Sequence, residues 1–131
     1  MLDCDVLIVD GMNVLGSRPD GWWRDRPAAM RRLLVALDDL ACGQDLPVEV
    51  CFDGSPHAAV AAAATDRVSV SFAPGGPNAA DREIAARVRA DEEPARLLVV
   101  TSDRRLQASI KAAGGRSTGS GGFAREWLSD R

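Results

Sequence analysis

The sequence has no tyrosine and a single histidine, His57. Chemistry that needs a histidine base therefore has one candidate, and a lone histidine in a turn-rich stretch is more often simply solvated. The three cysteines (Cys4, Cys42 and Cys51) are odd in number and lack metal-ligand spacing, which argues against a disulfide framework and a thiolate metal site. Cys4 and Cys51 fall in expected strands and read as buried thiols, in keeping with a reducing cytoplasm. The longest apolar runs fall far short of the roughly 20 residues of a membrane helix. No charged segment followed by an apolar one opens the chain as a signal peptide would, so a cytoplasmic protein with no membrane partner is expected. Lysine is nearly missing, with Lys111 the only one. The net charge of −3 gives no global sign of a nucleic-acid binder. Basic charge is local instead: Arg18, Arg24, Arg26, Arg31 and Arg32 stand against Asp20 and Asp25.

What is present suits one globular domain over residues 1–131, since 46% of the chain is hydrophobic and 27% charged. The run V-L-I-V (6–9) is apolar throughout, as a parallel strand buried on both faces should be. Gly11 breaks it, and the turn-forming segment 16–27 is expected as a loop. Asp25 is placed to cap a helix with Pro27 in its first turn, Met30, Leu33, Leu34, Leu37 and Ala41 inward, and Gly43 as its stop. V-E-V-C-F (48–52) is a second strand, the alanine-rich stretch 56–65 a place for a short helix, and V-S-V-S-F (68–72) an alternating edge strand. Asn78 is expected to cap a helix to about Ala90. L-L-V-V-T (97–101) is another buried strand. Ser102 or Asp103 caps the next helix, and a short strand and a helix bearing Phe123 and Trp127 close the chain. Such alternation predicts an α/β fold with a mostly parallel sheet of four to five strands and helices on both faces.

On that scheme Asp10, Asp53, Asp81 and Asp103 all fall at one edge of the sheet, where ligands bind in open α/β folds. Asp10, Asp53 and Asp103 each have an ordinary alternative as a turn or cap residue. Asp81 lies three residues after Asn78, where a carboxylate suits the helix dipole, yet it shares the stripe of Ile84, Ala85 and Val88. A charge on an inward stripe is costly unless paired or metal-bound. Four converging carboxylates repel one another unless a cation lies between them, and all-oxygen ligands suit Mg²⁺ or Mn²⁺. Asn13, Thr101 and Ser102 are placed to support such a site.

The segments I-V-D-G-M-N-V (8–14), F-D-G (52–54), N-A-A-D-R-E-I (78–84) and V-T-S-D-R-R-L (100–106) resemble, in this order, the NYN-type nucleases of the PIN-like superfamily, most closely the YacP-like branch. The resemblance spans essentially the whole chain. It implies a three-layer α/β/α sandwich and a Mg²⁺- or Mn²⁺-dependent ribonuclease with Asp10, Asp53, Asp81 and Asp103 as the acidic site, Asn13 beside them and Thr101 or Ser102 in support. Metal-activated water would leave 5′-phosphate and 3′-hydroxyl ends. RNA, structured or as ribosome-associated mRNA, is the expected partner. Arg18, Trp22, Trp23, Arg24 and Arg26 could meet phosphates and stack on unpaired bases, or the tryptophans could pack over the first helix. Arg104, Arg105 and Arg82 are further phosphate candidates. The rival from another class is an RNA- or ribosome-binding module with weak or no hydrolysis. A haloacid-dehalogenase-type phosphatase would need an acid where Met12 stands, and a receiver domain a lysine after a late strand, which Lys111 does not follow.

Overall fold

The chain alternates strands and helices in the computed structural model, which describes residues 1–18 and 20–128. The elements are β1 (Val6–Asp10), α1 (Gly11–Gly16), α2 (Arg26–Gln44), β2 (Val48–Asp53), α3 (Ala58–Ala61), β3 (Val68–Ala73), α4 (Ala79–Ala90), β4 (Leu97–Val100), α5 (Arg104–Ala112), β5 (Arg116–Thr118) and α6 (Ser120–Trp127). Single 3₁₀ turns lie at Trp22–Arg24 and Pro94–Arg96. The five strands form one sheet in the order β3-β2-β1-β4-β5, and every pairing is parallel. Chain order reverses about β1, so the crevice between the carboxyl ends of β1 and β4 is the topological switch point.

β1 is buried along its whole length because both faces of the sheet are covered. Leu7 and Val9 join a core with Leu33, Leu34 and Leu37 of α2, Val14 and Leu15 of α1 and Phe123 of α6. Val6 and Ile8 join a second core with Ile84 and Val88 of α4 and Leu106 and Ile110 of α5. These two cores make the α/β/α layering. β3 is the edge strand that its alternation predicts, and its Ser69 and Ser71 are exposed.

Several local expectations are corrected. The chain after β1 is helical at once, as α1, and the segment 16–27 contains a 3₁₀ turn. Six residues with no capping side chain carry too weak a pattern to announce α1. Gly11 does more than end a strand: a Cβ there would lie 2.4 Å from the Phe52 ring. α2 runs past Gly43 to Gln44 and is closed by Asp45 in the left-handed conformation, φ 51°. Cys4 precedes β1 and is half-buried; Cys51 is buried in β2 as expected.

Candidate active site at the carboxyl edge of the sheet

Strand parity decides which way the edge residues point. Asp10 continues the Val6–Ile8 side of β1, Asp53 the Cys51 side of β2, and Thr101 the Leu97–Val99 side of β4. All three therefore face the α4/α5 layer, which carries Asp81 and Asp103.

Each acid is held differently. Asp10 is only 3% exposed, and Thr101 Oγ1 donates to its Oδ2 at 2.9 Å. Thr101 is fully buried, and its hydroxyl also accepts the Asp103 N–H at 3.2 Å. One hydroxyl thus links the ends of β1 and α5. The Thr101 carbonyl takes a bond from Gln107 Nε2 at 2.7 Å. Asp103 Oδ1 caps α5 by accepting the Leu106 N–H at 2.9 Å. Asp53 Oδ1 accepts the Ala80 N–H at 2.9 Å. Asn78, expected as the cap of α4, sits at the N-cap position with φ 66° and makes no side-chain cap bond. Left-handed backbone aims that side chain elsewhere, and a carboxylate from β2 satisfies the helix end instead. Asp81, half-buried in the first turn of α4, makes no hydrogen bond or ion pair to any described residue.

The carboxylates feel one another. Burial pushes Asp10 up from 3.8 to about 6, and the charges of Asp81 and Asp53 add to the rise against the Thr101 bond. Asp81 is raised by burial, then by Asp103 and Asp53, while Arg105 and Arg82 pull it back. Among the described residues, no three His, Cys, Asp or Glu side chains are grouped so that they could hold a metal ion. The acids share a field without forming a ready-made cage.

Around them, Asn13 Oδ1 accepts the Ser102 N–H at 2.8 Å and the Ser120 hydroxyl at 2.6 Å, and Ser102 Oγ accepts the Ser120 N–H at 2.8 Å. Ser120 is fully buried and ties the start of α6 to the edge. Sequence reasoning missed it and Gln107, because S-T-G-S-G-G reads as plain turn chemistry.

The basic and aromatic candidates are more scattered. Arg105 lies near enough to act on Asp81, whereas Arg104 is merely exposed. Arg82 bonds weakly to the Pro77 and Gly75 carbonyls, both at 3.4 Å, and steadies their loop. Trp22 packs against the first core, and Trp23 is 57% exposed. The Arg26 and Arg24 guanidinia lie 5.4 and 5.9 Å from the Trp22 and Trp23 ring centres. Trp22 thus takes the packing role, while Trp23 leaves its ring open to solvent. Arg18 Nη2 donates to the Leu128 carbonyl at 3.4 Å. Among the described residues, no hydrogen bond or ion pair joins Trp22, Trp23, Arg24 or Arg26 to the four carboxylates. His57 is exposed just before α3.

A five-stranded parallel α/β/α sheet with carboxylates gathered at its switch point is the design of a PIN-like nuclease. The YacP-like NYN domain family matches residues 7–129, and the chain belongs to that family. Its fold is similar to crystal structures of Rae1 (YacP) from Bacillus subtilis. One, a tryptophan-to-leucine variant, superposes with a TM-score of 0.75 at 25% identity, covering 95% of this chain and 75% of that one. The other gives 0.74 at 24% identity, covering 95% and 74%. No curated protein sequence matches the chain. Membership implies a nuclease acting on RNA. No helix among the described residues is long and apolar enough to cross a membrane.

Proposed function

We propose that the chain is a Mg²⁺- or Mn²⁺-dependent endoribonuclease whose acidic site is Asp10, Asp53, Asp81 and Asp103. The observation that carries this reading is Asp10: a carboxylate buried at the switch point, destabilised by two neighbouring carboxylates, with no cationic side chain bonded to it. A buried charge in that position calls for a cation. The donor chemistry fits a hard divalent ion, for every candidate ligand is a carboxylate oxygen. Asp53 and Asp103 each commit one oxygen to a helix N–H and keep the other available. Asp81, bonded to nothing, is the most adjustable of the four.

An ion bound there would supply a water of lowered pKa and neutralise charge developing on the phosphate. The protein's own residues hold the geometry. Thr101 fixes Asp10 and the start of α5 through one hydroxyl. Asn13, Ser102 and Ser120 lock α1, the end of β4 and α6 together beneath the site. With His57 bonded to none of the carboxylates, water attack in line with the leaving 3′-oxygen gives a 5′-phosphate and a 3′-hydroxyl. The exposed Trp23 and the arginines beside it serve as a stacking and phosphate-binding rim. Cytoplasmic RNA, structured or presented as mRNA on a ribosome, is the substrate class.

The deciding experiment incubates labelled single-stranded RNA with and without Mn²⁺ and analyses the product ends. Cleavage should need metal, leave 5′-phosphates, and vanish in Asp81→Asn and Asp103→Asn. Cyclic or 3′-phosphate ends, or cleavage that survives both substitutions, would refute the mechanism.

A further inference from the structure

A groove of about 440 Å³ runs between α4 and α5, directly beside the acids. Asp81 and Asp103 belong to its lining, together with Arg82, Arg89, Arg105 and Ser109 among others. On α4, Asp81, Arg82, Ala85 and Arg89 share one face through spacings of three, four and seven. Asp81 and Arg89 are eight positions apart on the helix, about 12 Å along the axis. Helical side chains lean back toward the N-terminus, so Arg89 reaches along the groove toward the acids.

The two faces of α4 treat arginine in opposite ways. Arg87, two residues before Arg89, is fully engaged: it donates to both oxygens of Glu49 at 2.9 and 3.0 Å and to Asp91 at 2.9 Å. Asp91 is also bonded by Arg96. Arg89 and Arg105 make no hydrogen bond or ion pair to any described residue, although Asp81 and Asp103 stand in the same groove. Two arginines that bond to no described residue, one of them in the field of Asp81, stand beside two carboxylates that no cation bonds, and together they form a mixed lining. A strand that is anionic, and cut at one phosphate by a metal, matches both halves of it.

We infer that the α4/α5 groove is the track for single-stranded RNA flanking the scissile bond, with Arg89 and Arg105 binding neighbouring backbone phosphates and not the one being cut. The inference rests on the ribonuclease reading. It assigns Arg89, which no sequence motif singled out, to substrate binding. Phosphate contacts set position and affinity without reading sequence, so the track is sequence-tolerant.

The test measures binding of a fluorescent single-stranded oligoribonucleotide to the full chain carrying Asp10→Asn, across a range of salt. Each lost phosphate contact should lower the slope of log affinity against log salt by about 0.7. Arg89→Gln and Arg105→Gln should each show that drop, their combination about twice it, and Arg89→Lys should restore most of the slope. Arg31→Gln, at an exposed position of α2 in the opposite layer, is the reference for a merely solvated arginine. In the otherwise unaltered enzyme, Arg89→Gln should raise KM and leave kcat near its starting value. Firm binding by the parent with Arg89→Gln and Arg105→Gln both indistinguishable from Arg31→Gln overturns the track alone. A parent that does not bind RNA overturns the track together with the ribonuclease reading. Unchanged melting temperatures of the arginine variants exclude misfolding as the cause of any loss.

Discussion

Asp10 is buried where its charge costs the fold stability, at the pH where the proposed site would need that charge. Its carboxyl is raised from 3.8 to about 6 in the folded chain, so the folded state binds this proton more tightly than the unfolded state does. The associated stability is fully present below pH 3.8, is lost as pH rises toward 6, and is gone above it. At neutral pH without metal the cost is up to about 3 kcal/mol. Asp10→Asn should therefore stabilise the metal-free protein by up to about 3 kcal/mol at pH 7.5, and the gain should shrink to nothing near pH 4. Urea melts of both chains at several pH values check this; equal stability at pH 7.5 would show that Asp10 is not strained. Thr101→Val removes a buried hydroxyl that donates to Asp10 and accepts from Asp103. It should cost about 1–3 kcal/mol and also lower cleavage, because both partners lose their anchor. The stripe of Ile84, Ala85 and Val88 turns Asp81 partly inward, and its side chain is half-buried and bonded to no described residue. Ser120 and Gln107 gave no such signal, since a serine among glycines and a glutamine on a helix carry no pattern until their partners are known.

Among the elements, α4 and α5 both begin on an aspartate, by different routes. α5 is capped locally by Asp103, three residues before the N–H it accepts, and that spacing is legible in the text. α4 is capped by Asp53, which is 27 residues away in sequence. No local rule reaches that far, which is why Asn78 looked like the cap. The two roles of Asp103 can be separated. Asp103→Ser keeps a good N-cap and removes the charge, so its melting temperature should stay close to the parent's while RNA cleavage collapses. A variant that melts early but still cuts would assign Asp103 to capping alone. For Asp53, substitution by Ala should cost about 1 kcal/mol from the lost helix bond, offset in part by relief of repulsion on Asp10 and Asp81.

For the molecule as a whole, the parallel sheet with its reversal at β1 is what brings the acids to one crevice. A cation that binds only the folded form must raise stability by mass action, about 2.7 kcal/mol at one hundred times its dissociation constant. Millimolar Mn²⁺ or Mg²⁺ should accordingly raise the melting temperature by several degrees at pH 7.5. The rise should fade below about pH 6, where Asp10 holds its proton, and be absent in Asp10→Asn. Thermal unfolding indifferent to metal at every pH would refute a shared cation site.

The sequence by itself determined the strands, the longer helices and the sheet edge on which the four aspartates fall, because apolar period and turn chemistry are local properties of the chain. V-L-I-V reads as a buried strand, and Asp25 and Asp103 cap helices within three residues of themselves. Tertiary structure alone decided which acid is buried, which one caps a distant helix, and which arginines stay unpaired. Arg87 and Arg89 are two residues apart and look alike in the text. Only the packing of α4, with Glu49 of β2 under one side chain and the α5 groove beside the other, makes one a structural clamp and leaves the other to meet a ligand. Burial, field and pairing are sums over neighbours that the fold supplies, and a chain does not carry them residue by residue.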